Sequence, residues 1–390
     1  MPEGNVLALA DDLLQVGSKP APAGWRPSVE FDELAGVGEA TTQGLVSEPN
    51  FDEFLRTAGY DPEVYEVVGN TVRTSKWQQR EGGDWLTSYR FTFRIKNAVV
   101  DLPLLYSQAR KQVKPAKPLT SKKALVVLWS DLQVGKVDVH GGTADLVARC
   151  EVMRDRLKAV VKREKPDTVV FADLGDTVEN FGNAANLQQL RTNDLSIMQQ
   201  VDVAITEAWL TLEMLYSVVP NVVVASVGSN HCQWRVSKQA VGRPGVDDWG
   251  IFILHQIRRL ATVKEYGWRF VVPAAEDESV TLEVHGHKIA LAHGHQANRP
   301  EGVVGWWRGQ QFGSQPAAHA DILCTGHFHH LRVQECGAKP DGGSRFWVQA
   351  ATLDNGSGWF RRTSGESAVP GLVCFVLEQG VDFTGSVLKL

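Results

Sequence analysis

The sequence predicts a layered α/β fold with sheet inside and helices outside, and three observations predict it. Short apolar runs bounded by turn residues recur from residue 124 to residue 390; stretches of helical length and amphipathic pattern separate the first of them; the later ones follow one another without helices. The chain has 390 residues, 43% of them hydrophobic and 22% charged, enough to bury a large core without a disulfide or metal staple.

Taken in order, residues 1–50 are rich in Ala, Gly, Pro and acid with little periodicity and read as an irregular acidic arm. Residues 51–104 read as a small accessory α+β region. FDEFLRTAGY gives a short helix ending near Gly59, Asp61-Pro62 offers the start of a second, and the turn EGGD leads into WLTSYRFTFRIK. There Trp85, Thr87, Tyr89, Phe91, Phe93 and Ile95 alternate with Leu86, Ser88, Arg90, Thr92, Arg94 and Lys96, the period of a half-buried strand with a basic polar face from Ser88 onward. Residues 105–123 carry Arg110, Lys111, Lys114, Lys117, Lys122 and Lys123 without one acid, and Pro115 and Pro118 discourage helix, so this is a basic linker.

Residues 124–390 form the last domain. ALVVLWS, TVVFA and VVVASV read as buried strands, each followed by a loop and a helical segment: Ala144 to Glu164, about Leu187 to Val218, and about Asp247 to Val263. VTLEV, KIALA, DILCT, LRVQE, RFWVQA, LVCFVLE and SVLKL follow as further strands.

The net charge of -5 excludes a uniformly basic coat, but it is unevenly spread: -7 over residues 1–60, +6 over 61–123 and -4 over the remainder. Five cysteines without CxxC spacing disfavour a disulfide framework or thiolate zinc site and fit a reducing cytoplasm. The N-terminus lacks the pattern of a signal peptide, and no apolar run is long enough to span a bilayer, so no membrane partner is expected.

Chemistry gathers where apolar strands end. Asp131 and Gln133 follow the first strand, Asp176 the second, and Asn230-His231 the third; His293 follows KIALA, and His327 and His329 follow DILCT. Ten of the eleven histidines fall between His231 and His330. In an α/β sheet the carboxyl ends of parallel strands share one edge, where these oxygen and nitrogen donors would meet. Such a mixture suits divalent transition ions better than calcium.

In chain order, SDLQ, GDTVE, SNHC, HGH and GHFH resemble the five sequence blocks of the calcineurin-like metallophosphoesterase superfamily, over roughly residues 124 to 390. The resemblance implies two packed β-sheets flanked by helices in four layers, and two divalent ions. Asp131, Gln133, Asp176 and His329 would hold the first ion, and Asp176, Asn230, His293 and His327 the second, with Asp176 bridging. A hydroxide activated by the ions would attack phosphorus, and His231 would protonate the leaving oxygen. Gln133 stands where the family has histidine. Its neutral amide oxygen would make the first ion weaker and favour Mn, with Fe, Zn, Ni and Mg as alternatives. Ser229, Cys232 and Glu179 also depart from the family pattern. His295 competes with His293 for the same ligand place.

The basic segments point to a nucleic acid substrate and to a nuclease resembling the SbcD-like DNA repair family or its phage-encoded counterparts, which leaves room for a homodimer or a partner ATPase. Arg235, Trp307 and Arg308 are the candidate substrate contacts. Two alternatives stand beside this reading: a phosphomonoesterase or cyclic-nucleotide phosphodiesterase on small substrates, and a non-catalytic scaffold of the same fold.

Overall fold

The computed structural model describes residues 28–32, 37–44, 51–57, 59–63, 65–67, 72–78, 85–95, 100–109, 113–180, 193–236, 239–340, 342–358, 361–362, 365 and 367–390. Residues 1–27, 33–36 and 45–50 of the expected arm, the EGGD turn at 81–84, Lys96, Arg110, Lys111 and the first residues of the segment expected to be helical from Leu187 lie outside them, while residues 28–32 and 37–44 of that arm are paired strands rather than irregular chain. The chain divides into two compact units, Met1–Asn97 and Ala98–Leu390.

The first unit is an antiparallel sheet. Its strands are β1 (Ser28–Asp32), β2 (Val37–Gly44), β3 (Tyr65–Val67), β4 (Arg73–Gln78) and β5 (Trp85–Ile95), with helix α1 (Phe51–Thr57) between β2 and β3. The eleven-residue β5 is the spine: β2 pairs with it on one side, β4 and β3 on the other. Its period of two turns Tyr89, Phe91 and Phe93 inward against Leu55 of α1, and leaves Arg90 exposed, paired with Glu39. The helix expected from Asp61 is instead a single turn, in which Glu63 donates its N–H to Asp61 Oδ1 at 2.9 Å, before β3. Tyr65 and Val67 alternate about Glu66, and pairing them to β5 buries more apolar surface than an isolated turn of helix could.

The second unit opens with helix α2 (Leu102–Gln108); over residues 113–122, which are neither helix nor strand, Lys114 and Lys117 are exposed. Then follow β6 (Lys123–Trp129), α3 (Thr143–Glu164), β7 (Thr168–Asp173), α4 (Ile197–Tyr216), β8 (Asn221–Ser226), β9 (Arg235–Val236), β10 (Gln239–Ala240), α5 (Trp249–Val263) and β11 (Arg269–Val271). The C-terminal part contributes β12 (Ser279–Val284), β13 (His287–Ala292), α6 (Val303–Phe312), β14 (Ile322–Thr325), β15 (Arg332–Ala338), β16 (Ser344–Gln349), β17 (Val373–Glu378) and β18 (Leu388–Lys389). The order β11-β8-β7-β6-β17-β18 makes one sheet and β12-β13-β14-β16-β15 the other. β6, β7, β8 and β11 are parallel in the first, and β13, β14 and β16 in the second.

The continuous apolar runs of β6 and β7 follow from burial on both faces. Leu125, Val127, Trp129, Val169 and Phe171 face a core shared with α3, α4 and α5. Ala124, Val126, Leu128, Val170 and Ala172 face a second core with Leu282, Ile289, Leu291, Ile322 and Val348 of the other sheet. A third core joins Ala290, Leu323 and Trp347 to Val303 and Trp307 of α6. Helix α6 and strands β9 to β11 were not among the elements expected from the sequence; GWWRG carries two glycine-flanked tryptophans and no clear helical stripe.

Helices α3 and α4 also share a buried ion pair, Arg154 with Glu207, whose side chains are 13% and 0% exposed. Removing the arginine strands a carboxylate in the core, so Arg154→Met should cost about 3 kcal/mol in urea unfolding. The double change Arg154→Met with Glu207→Leu should recover most of that loss, since it leaves no charge behind.

Candidate metal centre

Every loop at this centre leaves the carboxyl end of a parallel strand. β6 delivers Asp131 and Gln133, β7 Asp176, β8 Asn230 and His231, β13 His293, β14 His327 and His329, and β16 Asp354. Asp131, Gln133, Asp176, His327 and His329 all have left-handed backbones, with φ of 52°, 45°, 51°, 70° and 64°. Each such residue costs on the order of 1 kcal/mol, a strain that persists where the surroundings fix it and that concentrates at working sites. Two glycines let the loops approach. A Cβ on Gly326 would fall 2.1 Å from Ser130 Oγ and 2.6 Å from Asp131 Oδ2, and one on Gly175, whose φ is +94°, would meet Ser229 Cβ at 2.4 Å.

Asp176 lies at the middle, 1% exposed. Its N–H donates to Ser229 Oγ at 2.7 Å, while its Oδ1 accepts from the His231 N–H at 2.9 Å. Ser229, which stands where the resembled family has glycine, thus anchors the Asp176 backbone. Burial would raise the Asp176 carboxyl, but the imidazoles of His293 and His231 outweigh it and hold it well below the usual range.

His293 is fully buried, and its Nδ1 donates to the Leu174 carbonyl at 2.7 Å, which fixes Nε2 as the atom turned to the centre. That Nε2 lies 2.9 Å from Asn230 Oδ1 and 3.1 Å from Asp176 Oδ2. Three electron-rich atoms at that spacing demand positive charge between them, either a proton on the ring or a cation. His327 completes this half: one ligand atom each from Asp176, His293 and His327 lie within 4.8 Å of one another. Burial and the neighbouring His293 push the His327 imidazole down to about 4, so it presents a lone pair near neutral pH. These residues fit a divalent ion.

The other half is arranged differently. Asp131 is buried, accepts from Ser130 Oγ and the His327 N–H, and has His329 Nε2 3.5 Å from Oδ1. His329 Nδ1 lies 3.5 Å from Asp354 Oδ2, a buried carboxylate that takes an ion pair from Lys136 Nζ at 2.6 Å. Burial would raise Asp354, and Lys136 and His329 bring it below the usual carboxylate range. Gln133 Oε1 accepts from the same Nζ at 2.6 Å. Lys136 and Asp354 were absent from the sequence reading, although Asp354 obeys the rule that found the others, a polar residue just past an apolar strand.

His231 stands beside both halves. Its Nδ1 donates to the Glu179 carbonyl at 3.2 Å, leaving Nε2 3.9 Å from Asp176 Oδ2. Burial lowers this imidazole, but Asp176 and Glu179 more than compensate and bring it up to about 9. His295, the competitor of His293, is pushed down to about 3 by burial and by His293, and its Nε2 is 3.9 Å from Glu278 rather than on Asp176. Burial pushes the Cys232 thiol up.

The three expected substrate contacts are placed unequally. Trp307 needs correction: it is 2% exposed, donates through Nε1 to the Ala317 carbonyl at 2.9 Å, and has no face on which a base could stack. Its apolar ring fills the core beneath β13, β14 and β16. Arg308 is exposed on α6, and half-buried Arg235 donates through Nη2 to Gln233 Oε1 at 2.7 Å.

No protein-family model and no curated protein matches the chain. Among solved structures it is similar to wild-type Vps29 complexed with zinc from Entamoeba histolytica, at 15% identity over 68% of this chain and 98% of that one, TM-score 0.30. It is similar also to a conserved uncharacterised protein, a predicted phosphoesterase, from Streptococcus pneumoniae TIGR4, at 12% identity over 69% and 97%, TM-score 0.26. A third is a metallophosphoesterase from Sphaerobacter thermophilus, at 14% identity over 65% and 83%, TM-score 0.25.

Behind the centre, Asp173 accepts from the Gly175 N–H at 3.0 Å and Ser226 Oγ at 2.9 Å, yet burial pushes its carboxyl up to about 7. Between the ordinary carboxylate value near ~4 and ~7 the folded chain holds a proton that the unfolded chain has lost, so this group lowers stability as pH rises through that window. Asp173→Asn removes the titration and keeps an acceptor. It should raise the melting temperature by several degrees at about pH 8 and change it little at about pH 4.5, as read by scanning calorimetry.

Proposed function

We infer that the chain is a metal-dependent phosphoesterase, and that its substrate is a phosphodiester of nucleic acid. The observation that carries the first part is the position of His293 Nε2 between Asn230 Oδ1 and Asp176 Oδ2, with His327 in the same cluster. Five motifs resembling those of calcineurin-like metallophosphoesterases supply these residues in chain order. Asp176, Asn230, His293 and His327 would hold a divalent ion, which supplies Lewis acidity towards a phosphoryl oxygen and makes water acidic enough to attack near neutral pH.

The chain's own groups do the rest. His231 keeps its Nδ1 proton on the Glu179 carbonyl, so its Nε2 is the atom free to serve the substrate. The Asp176 and Glu179 carboxylates favour a proton there, and the long 3.4 Å contact with Gln133 Nε2 opposes it only weakly. An imidazolium in that place gives its proton to the departing oxygen, the step that limits esters with poor leaving groups.

The support for a nucleic acid substrate is the exposed Lys114 and Lys117 on an acid-free segment, and a net charge of +6 over residues 61–123. Arg90 adds less than the sequence suggests, because Glu39 pairs with it. Manganese, and an SbcD-like role in DNA repair, are the finer parts of this proposal.

Two measurements test it. With Mn, Zn or Mg supplied in turn, single-stranded and duplex DNA should be cut at least as well as an aryl phosphodiester, and far better than an aryl phosphomonoester; rapid monoester turnover with intact DNA would give the site to small substrates. His231→Ala should lower kcat by about 10²–10⁴-fold on DNA or an alkyl ester but much less on a nitrophenyl ester, with metal content unchanged. An equal loss on every leaving group would remove His231 from the acid's role.

A further inference from the structure

The half of the centre with Asp131, Gln133 and His329 already contains a cation that belongs to the chain. Lys136 Nζ lies 2.6 Å from Gln133 Oε1 and 2.6 Å from Asp354 Oδ2. An ammonium only donates, so the amide atom facing it is the oxygen, and the atom 3.4 Å from His231 Nε2 is the NH₂. The one oxygen that Gln133 could offer an ion is therefore turned to a lysine, and the group it turns towards His231 is a donor. Among the described residues, moreover, Asp131 and His329 belong to no set of three His, Cys, Asp or Glu with ligand atoms within 4.8 Å; Asp176, His293 and His327 form such a set.

Lys136 is held in place. It is 8% exposed, its N–H donates to the Gln133 carbonyl at 3.0 Å, and its own carbonyl accepts from Asn355 Nδ2 at 2.7 Å. Asn355 is fixed in turn by Arg149, which donates to its Oδ1 at 2.7 Å. Asp354 is fully buried, with Oδ1 taken by the Gly356 N–H at 2.9 Å and Oδ2 by the ammonium. Moving the ammonium away would strip a buried carboxylate of its shortest charged partner, leaving the Gly356 N–H, Arg149 and the edge of His329 to balance it.

We propose that this chain holds one divalent ion, at Asp176, Asn230, His293 and His327, and that the Lys136 ammonium, fixed between Gln133 and Asp354, is the permanent second positive pole of the centre. The proposal rests on the phosphoesterase reading and sharpens it. Attack on a monoanionic phosphodiester builds a second negative charge on the phosphoryl oxygens, which needs positive charge spread across the site. A resident ammonium supplies part of it without depending on a second ion, and a divalent ion coordinated to the same Gln133 oxygen would lie within one ligand's width of it.

The test counts ions on the full chain and reads their coupling. Protein loaded with excess Mn(II) and desalted should contain one Mn by plasma mass spectrometry, and its electron paramagnetic resonance spectrum should show the hyperfine sextet of an isolated ion. His327→Ala should abolish this binding, and His329→Ala should retain it. The double change Gln133→His with Lys136→Met, which removes the ammonium and restores a nitrogen donor, should bind a second Mn and halve the hyperfine spacing, the signature of a coupled pair. Two coupled ions on the wild-type chain would overturn the proposal and leave the phosphoesterase reading intact; no bound ion would overturn both. A double variant still at one ion would take from Lys136 the role of excluding the second. The wild-type measurement needs no substitution, so the proposal stays open to refutation even if the double variant fails to fold.

Discussion

Asp176 is a carboxylate with 1% of its surface exposed, and what surrounds it is the set of partners that makes such burial tolerable. A buried charge is stable only when paired and hydrogen-bonded, and the penalty for an unpaired one is several kcal/mol. Asp131 and Asp354 are fully buried close by, so the interior edge where the two sheets meet carries an excess of negative charge that imidazoles, an ammonium and backbone N–H groups must balance. The left-handed turns follow from this need. They aim the first residues after each strand back towards Asp176 rather than out to solvent.

The strands that deliver these residues were legible in the sequence because burial on both faces leaves no polar alternation to confuse with a helix. The donors were legible because each stands one to four residues past such a strand. What stayed hidden depends on contacts between distant segments. Lys136 looks like a loop lysine after a glycine; only its approach to Asp354, 218 residues away, makes it part of the centre. The sequence does not say whether the Gln133 amide oxygen is open to an ion or, as here, turned to Lys136 Nζ at 2.6 Å. Trp307 could as well face a base as a core by sequence alone, since an exposed and a buried tryptophan look alike there, and only the packing of α6 on the second sheet separates them.

The first unit repeats the lesson for charge. The basic face of β5 is clear from alternation, but cross-strand pairing sets Glu39 beside Arg90, and a sequence does not say which strand lies next to which. The short β3 is another case. Three residues carry too little pattern to be told from a turn, and their strand character comes from the long neighbour they pair with.

The donors of the centre are spread from residue 131 to residue 354, and a backbone N–H as far along as His327 closes on Asp131 across 196 residues. A centre assembled over that span is of necessity a late event in folding, since both sheets must form and dock before any ion meets more than two of its ligands. While the chain is being made, the segment up to His293 can emerge without a competent site. A divalent ion at the proposed site would meet its full set of ligands only once His327 had followed β14 into place.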